Sequence, residues 1–236
     1  FTSLPATFGA AAFSLVFAAL LLARVSGTAP ARAHPARGSL ATLLRAGLYH
    51  VRDAPLIRLV FLLTLASGFL GRTAIELLPA VSGKLLGGDS ATLATLTAAA
   101  GAGSIVGGLL VSRQGGGLRR LFQLVLAGLT VAALTLLTSV GWQSTSVAAA
   151  AVALVSLSTT VIGTGCQALI QLSVDDDYRG RVMSLWTVIA MGTPAIGAVL
   201  IGIAAELAGF PAAFAVTGAG ALLTVTRARP HARRWQ

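Results

Sequence analysis

Long stretches without any charged residue limit what this chain can fold into. A helix needs about 20 apolar residues to cross about 30 Å of hydrocarbon. Charge-free stretches of that order cover residues 1–23, 91–112, 121–174, 182–205 and 207–226. The third stretch is long enough for two crossings. It is divided by a polar turn at 141–144, which contains Trp142, a residue type common at membrane interfaces.

Another apolar segment covers residues 55–81 and contains Arg72 and Glu76, with Arg58 at its inner boundary. The sequence therefore predicts seven transmembrane helices. Composition agrees, because charged residues make up 10% of the chain and mean hydropathy is +0.85, whereas soluble domains carry about 25% charged residues. Too few charges remain to cover a water-facing surface. We predict an all-α integral membrane protein and not a soluble enzyme.

The distribution of the basic residues predicts the orientation of the helices. A net charge of +10 would suggest nucleic acid binding in a soluble protein. Here fifteen of the 17 basic residues fall in every second connection or after the last span, and the alternate connections contain Lys84 alone. This positive-inside pattern predicts a cytoplasmic C-terminus, an external N-terminus and no nucleic acid partner. The fifteen are Arg24, Arg32, Arg37, Arg45, Arg52, Arg58, Arg113, Arg119, Arg120, Arg179, Arg181, Arg227, Arg229, Arg233 and Arg234.

The spans are unevenly spaced along the chain. Residues 26–54 form a basic connection between the first span and the other six, and apolar residues at i, i+3, i+4, i+7 spacing predict an amphipathic interfacial helix at 39–53. Six spans follow in 55–228, and 229–236 is a basic cytoplasmic tail. Because the first span begins outside, without features of a signal peptide, we expect upstream sequence to be missing. A complete seven-span protein is the alternative.

One helix, a long basic linker and a six-helix unit resemble spans six to twelve of the major facilitator superfamily. In this resemblance, 1–25 is the last helix of the N-terminal half and 55–228 is the C-terminal six-helix bundle. Residues 108–115 (GLLVSRQG) resemble the second-half copy of the superfamily's cytoplasmic loop signature. Ser112 stands where that signature usually has aspartate. The resemblance implies a conformational role for Gly108, Ser112, Arg113 and Gly115.

Two further stretches support the same resemblance. Residues 171–183 (QLSVDDDYRGRVM) resemble the loop between spans ten and eleven in the branch that includes enterobactin-type siderophore exporters. Residues 191–202 resemble the second-half counterpart of the antiporter motif, with Thr193-Pro194 in the Gly-Pro place. The gating residues implied are Asp177, Arg179, Gly180, Arg181, Gly192, Pro194 and Gly197.

Arg72 and Glu76 are the ionisable residues that fall inside a predicted span. A charge at mid-membrane costs about 2.5–3.5 kcal/mol, so it needs a reason to be there. The two are four residues apart and can pair on one helix face. They predict either a charged element of a cavity, which binds an anionic substrate or a proton, or an ion pair at the outer rim that orients the helix.

A polar stripe marks the fifth predicted span. Such a stripe on an apolar helix faces either a water-filled cavity or neighbouring helices. In the resembled family this helix borders the central cavity, which favours a substrate-lining surface. The stripe consists of Ser156, Thr160, Thr164, Gln167 and Gln171.

Small residues in the third span predict close helix packing. Gly103 and Gly107 form a small-xxx-small pair, which permits close approach of a second helix within the bundle. Pro194 lies mid-span in the sixth span, where it serves either packing or a hinge. The single cysteine, Cys166, is predicted to be a small packing residue.

No motif for a metal, cofactor or ATP is present in the sequence. Asp175, Asp176 and Asp177 are consecutive and point in different directions, so they suggest a solvated turn or gate and not a metal site. Nothing resembles a Walker loop, a zinc spacing or a nucleophile elbow. The expected partners are therefore the lipid bilayer, a small-molecule substrate, protons and the missing N-terminal half of the chain.

We interpret the chain as part of a secondary transporter of a bacterial inner membrane. Efflux of a small molecule such as a siderophore or drug, exchange for protons and alternating access are implied by the resemblance alone. Two alternatives remain open from the residues. One is a seven-helix receptor or sensor, and the other is a membrane subunit of a larger transport complex.

Overall fold

The computed structural model of the chain describes residues 4–24, 54–114 and 117–233. The chain divides into two compact units, residues 1–38 and 39–236, which are described separately. In the first unit, helix α1 covers Leu4–Ala23. Its apolar side chains from Phe13 to Leu21 are more than half exposed, as expected for a helix that faces lipid. The predicted interfacial helix at 39–53 lies outside the described residues.

The described residues of the second unit, 54–114 and 117–233, form six helical runs, which we number α2 to α7. The first of them, α2, is interrupted and begins at Pro55, whereas the others are continuous. They are α2 (Pro55–Ser67, Gly68–Arg72, Thr73–Glu76, Leu78–Ala80 and Val81–Leu85), α3 (Ser90–Ser112), α4 (Leu118–Leu137), α5 (Thr145–Ser173), α6 (Asp176–Ala208) and α7 (Phe210–Arg233).

Five helices, α3 to α7, are long and apolar enough to cross a membrane. Two shorter apolar helices, Ala12–Leu21 within α1 and Pro55–Ser67 in α2, occupy the other two predicted spans. The described regular structure is entirely helical. The protein is therefore an all-α membrane protein, with helices at all seven predicted positions.

Helix α2 differs from the continuous span that the sequence predicts. Two of its pieces, Gly68–Arg72 and Val81–Leu85, are π-helical turns, in which each N–H bonds the carbonyl five residues earlier. The first turn contains Gly68 and Gly71, which have low helix propensity and do not hold the regular α-helical spacing. Pro79, which lacks an N–H, lies at the start of the piece Leu78–Ala80.

The ends of the helices follow local chemistry. Asp89 precedes α3, and its Oδ1 accepts hydrogen bonds from the backbone N–H groups of Ala91 and Thr92, both at 3.0 Å. Ser144 precedes α5 and accepts from the N–H of Val147. Gly209 alone connects α6 and α7 with φ at 84°, in the left-handed region that favours glycine.

Three local features are decided by the structure. The side chain of Trp142 is 3% exposed and packs on Phe214 of α7, with ring centroids 5.7 Å apart. Asp176 belongs to the first turn of α6 and not to a loop, since an acidic residue there complements the helix dipole. Residues 229–233 of the predicted tail are helical, because α7 continues to Arg233.

Helix α5 lies at the centre of the second unit and packs against α2, α3, α4 and α6. Two apolar clusters fill the bundle, and the larger includes Leu63, Val125, Ile162 and Cys166. Cys166 is fully buried, which confirms its prediction as a packing residue. The second cluster surrounds Trp142 and Phe214 near the opposite ends of the helices.

The α3–α5 crossing is close because glycines face backbone. A Cβ added at Gly103 would collide with the carbonyl oxygen of Ala153, and one at Gly107 would lie 2.5 Å from that of Leu157. No larger residue fits at either position without separating the helices. The predicted small-xxx-small packing is thus confirmed, and its partner is α5.

Candidate functional site

A cavity of about 570 Å³ opens between α2, α3, α5 and α6. Its walls combine hydroxyl and amide groups with one arginine, one glutamate and a few apolar side chains. Such a mixture, a concave surface with several polar groups that converge, is typical of small-molecule binding sites. The polar lining residues are Thr64, Ser67, Arg72, Glu76, Ser104, Ser156, Thr159, Thr160, Thr164, Gln167 and Thr187.

The polar stripe of α5 forms much of one wall. Ser156, Thr160, Thr164 and Gln167 line the cavity, so four of the five stripe residues meet there. Gln171, the fifth, is exposed and lies outside the cavity lining. Ser156 also serves the other role expected of such a stripe, because its hydroxyl is 2.8 Å from that of Ser104 on α3.

Arg72 and Glu76 of α2 lie at the same cavity. The Nε atom of Arg72 is 3.8 Å from Oε1 of Glu76, and both side chains are 52% exposed. A pair this exposed adds little to stability, typically about 0–1 kcal/mol. Both groups retain accessible hydrogen-bonding atoms toward the cavity, so the pair can be separated at low cost by a ligand with charges of its own.

The opposite wall contains residues that the sequence did not single out. Trp186 of α6 donates from Nε1 to Oγ1 of Thr64 on α2 at 3.0 Å, and Thr64 donates in turn to the carbonyl of Val60 at 2.9 Å. The indole is therefore held in a fixed orientation between the two helices. The sequence offered one indication of this residue, a large aromatic side chain with an N–H donor inside the apolar run 182–205.

The residues of the cytoplasmic loop signature lie at the end of α3, away from the cavity lining. Ser112 is exposed and its hydroxyl donates to the carbonyl of Leu109 at 2.9 Å. Arg113 is exposed at the C-terminus of α3, and Gly108 has open space where a Cβ would be. Gly115 lies outside the described residues. Ser112 stands where the signature has an aspartate, and its hydroxyl is hydrogen-bonded within its own helix instead of forming an ion pair.

The acidic turn before α6 forms local contacts. Arg179 pairs with Asp176 and donates from Nη2 to the carbonyl of Val174 at 3.2 Å. The guanidinium of Arg181 lies 5.6 Å from the ring centroid of Tyr178. Gly180 borders open space. The structure describes Asp177 as helical without describing its side chain, so its gating role stays a prediction.

Thr193, Pro194 and Gly197 of the antiporter-like motif contact α2 and are absent from the cavity lining, whereas Met191 at the start of the motif lines the cavity. Helix α6 continues through Pro194, and the side chain of Thr193 donates to the carbonyl of Ile189 at 2.6 Å. Gly197 faces Phe69 and Thr73 of α2, while Gly192 borders open space. The packing role considered for Pro194 is thus visible, and the hinge role stays a prediction.

A second cavity, of about 680 Å³, lies where α2, α6 and α7 meet. It is mostly apolar, and an ion pair between Lys84 Nζ and Glu206 Oε1, 3.2 Å long, lies at its edge. Both side chains are well exposed, at 65% and 70%. In the ranges 4–24, 54–114 and 117–233, no three His, Cys, Asp or Glu side chains lie close enough to share a metal ion.

An apolar helical bundle with a polar cavity is an architecture that membrane transporters share with membrane receptors, and the family comparison distinguishes the two classes. The chain matches the family model of transmembrane secretion effectors over residues 3–233, and it belongs to this family of major facilitator transporters. Neither a curated protein nor a solved structure matches it.

Proposed function

We propose that the chain is part of a proton-coupled efflux transporter that works by alternating access and binds its small-molecule substrate in the cavity between α2, α3, α5 and α6. One observation carries the proposal: five of the six residues that the sequence predicts for the substrate and proton pathway line the same cavity, namely Arg72, Glu76, Thr160, Thr164 and Gln167. The secretion-effector family supports the outward direction.

Each group in the cavity has a distinct role in this proposal. Arg72 binds an anionic or strongly polar group of the substrate, because a guanidinium offers several donors in a fixed geometry. The α5 hydroxyls and the Gln167 amide supply neutral donors and acceptors. Glu76 takes up and releases the coupling proton, and its protonation state decides whether Arg72 is paired with Glu76 or available to the substrate. Substrate binding and protonation are thereby linked through the same ion pair, which is what coupled transport requires.

Transport by the full-length protein tests the proposal. We expect proteoliposomes with an imposed proton gradient to accumulate substrate, and Arg72→Gln to lose about tenfold or more in substrate affinity. The reason is that a hydrogen bond to a charged group contributes about 1.5–3 kcal/mol. Glu76→Gln should retain substrate binding and exchange but lose the response to the gradient.

The Lys84–Glu206 pair provides matched controls. Lys84→Gln and Glu206→Gln remove the same charges from a more exposed ion pair at the other cavity, so both variants should transport normally. Equal losses in both pairs would show a general effect of charge and contradict the proposed site. Absence of any gradient-coupled flux in the unsubstituted protein would overturn the proposed function.

A further inference from the structure

The π-turn of α2 (Gly68–Arg72) lies against residues 193–197 of α6, which we call the α6 clamp. The π-turn contains Arg72 of the cavity, and Glu76 follows one helical turn later. The clamp contains the Pro194 and Gly197 positions of the antiporter-like motif. The helical turn that carries Arg72 and a motif about 120 residues away, which the sequence presented as separate, are therefore in direct contact through Gly68 and Thr73.

The first contact fits only because residue 68 is glycine. A Cβ at Gly68 would lie 2.9 Å from both Cβ and Cγ2 of Thr193, closer than real Cβ contacts. Thr193 cannot rotate away freely, because its hydroxyl is bonded to the carbonyl of Ile189 at 2.6 Å. The backbone of the π-turn consequently rests directly on the Thr193 side chain.

The second contact requires glycine on the other helix. A Cβ at Gly197 would collide with Oγ1 of Thr73 and lie 3.3 Å from Cα of Phe69. The Thr73 hydroxyl donates to the carbonyl of Gly68 at 2.9 Å and lies 3.4 Å from the carbonyl oxygen of Pro194. The backbone N–H of Thr73 also bonds Gly68, which closes the π-turn.

The π-turn determines the direction of every side chain beyond it. A π-turn holds one residue more than an α-turn, and each residue of an α-helix rotates the chain by about 100°. If the turn relaxed to α-helical spacing, Arg72 and Glu76 would rotate by about that angle relative to the first piece of α2. They would then leave the cavity wall formed with Thr64 and Ser67.

We propose that the α6 clamp positions Arg72 and Glu76 in the cavity by holding the π-turn of α2. Gly68, Thr73, Thr193 and Gly197 are positioning residues in this inference, and none of them needs to touch the substrate. Isolated π-turns are uncommon and persist where tertiary contacts support them. The importance of this placement for transport rests on the proposed function, whereas the placement itself does not.

Cysteine accessibility at position 72 tests the inference without any transport measurement. Cys166 is the only cysteine of the chain and is buried, so the unsubstituted chain is the control for background labelling. Arg72→Cys in detergent-solubilised protein should react with a bulky, charged thiol reagent through the cavity. Adding Gly197→Ala should change that reaction rate by about tenfold, the ratio produced by about 1.4 kcal/mol in the π-turn equilibrium.

Two matched variants decide the outcome. Gly192→Ala adds the same methyl group to the same helix where nothing lies within 4 Å, so it should leave the labelling rate unchanged. Equal rates in the Gly192→Ala and Gly197→Ala backgrounds would overturn the inference. If Gly197→Ala does not fold, Thr73 gives the same decision: Thr73→Val, which lacks the hydroxyl, should change the rate and Thr73→Ser should not.

If labelling responds as expected but the full-length protein does not transport, the proposed function fails and the positioning inference stands. If transport is present and labelling is identical in all backgrounds, the reverse holds. A transporting protein should also show a higher KM in Gly197→Ala, with the loss resembling that of Arg72→Gln.

Discussion

Two helix crossings in this molecule rely on glycine, and they differ in what the close approach achieves. In the α3–α5 crossing, Gly103 and Gly107 lie against backbone carbonyls of an uninterrupted helix. In the α2–α6 crossing, Gly68 and Gly197 lie against Thr193 and Thr73, and α2 is broken by a π-turn. The first crossing holds the bundle together, while the second bends a helix that carries charge into the cavity.

The difference follows from what each glycine faces. A backbone carbonyl cannot move without moving its helix, so the α3–α5 contact tolerates no change. The α2–α6 contact can relax in another way, because the π-turn itself can change its hydrogen-bond spacing. We therefore expect substitutions in the first crossing to lower stability and substitutions in the second to change local geometry first.

The largest effect is expected from Gly103→Ala. The added methyl group collides with the Ala153 carbonyl and should lower the free energy of unfolding by about 1–3 kcal/mol, as overpacking usually does. Gly101→Ala is the matched control, since Gly101 faces open space and alanine favours the helix. Thermal unfolding in detergent, followed by circular dichroism, measures both. Similar midpoints for the two variants would show that the α3–α5 contact is not rigid.

A smaller, rescuable effect is expected from Gly71→Ala in the π-turn. Its Cβ would lie 2.7 Å from Cγ2 of Thr159 on α5. Thr159→Ser removes that methyl group and keeps the hydroxyl that donates to the backbone carbonyl of Ser156 at 3.0 Å. We expect the double variant to recover most of the lost stability, with a coupling energy of about 0.5–3 kcal/mol in a double-mutant cycle. Additive losses would place the strain of Gly71→Ala elsewhere.

Each crossing also contains an interhelical hydrogen bond between two side chains, and these two bonds should be of similar strength. Trp186→Phe removes the bond to Thr64 in the α2–α6 region, and Ser104→Ala removes the bond to Ser156 in the α3–α5 region. Such bonds contribute about 0.6 kcal/mol on average in membrane proteins. Unfolding measured in detergent should show this small loss for both. A much larger loss for Trp186→Phe alone would mean that the indole orients more of the cavity than Thr64.

The smallest effect is expected at Asp89, at the start of α3. The pKa of the Asp89 carboxyl is lowered, first by a hydrogen bond from the backbone N–H of Thr92. Hydrogen bonds from the Thr92 hydroxyl and from the backbone N–H of Ala91 lower it further. Its contribution to stability is therefore present above the ordinary carboxyl pKa and is lost as pH falls through the lowered value. Asp89→Ala should remove this acid-side pH dependence, whereas Asp89→Asn should keep the cap without it. A titration of the Asp89 carboxyl signal by NMR checks the direction of the shift.

The sequence alone predicted the helical membrane fold and about half of the polar residues that line the cavity. A charge-free run of about 20 residues crosses lipid as a helix, because every backbone N–H and C=O must then be hydrogen-bonded within the segment. The stripe on α5 and the pair on α2 could be recognised because polar groups are unfavourable in lipid. They therefore lie on one face of their helix and recur at helical spacing. Gly103 and Gly107 were visible for the same local reason.

Only the tertiary structure decided how these residues meet. Nothing in the spacing of Gly68 and Gly71 distinguishes an interrupted α2 from a regular one, because the π-turn is held by Thr193, Pro194 and Gly197 of another helix. The position of Trp142 in a polar turn gave no sign that its ring is buried against Phe214 of α7. The propensity to form a helix depends on consecutive residues, whereas the α2–α6 crossing depends on the shapes of two segments more than 100 residues apart.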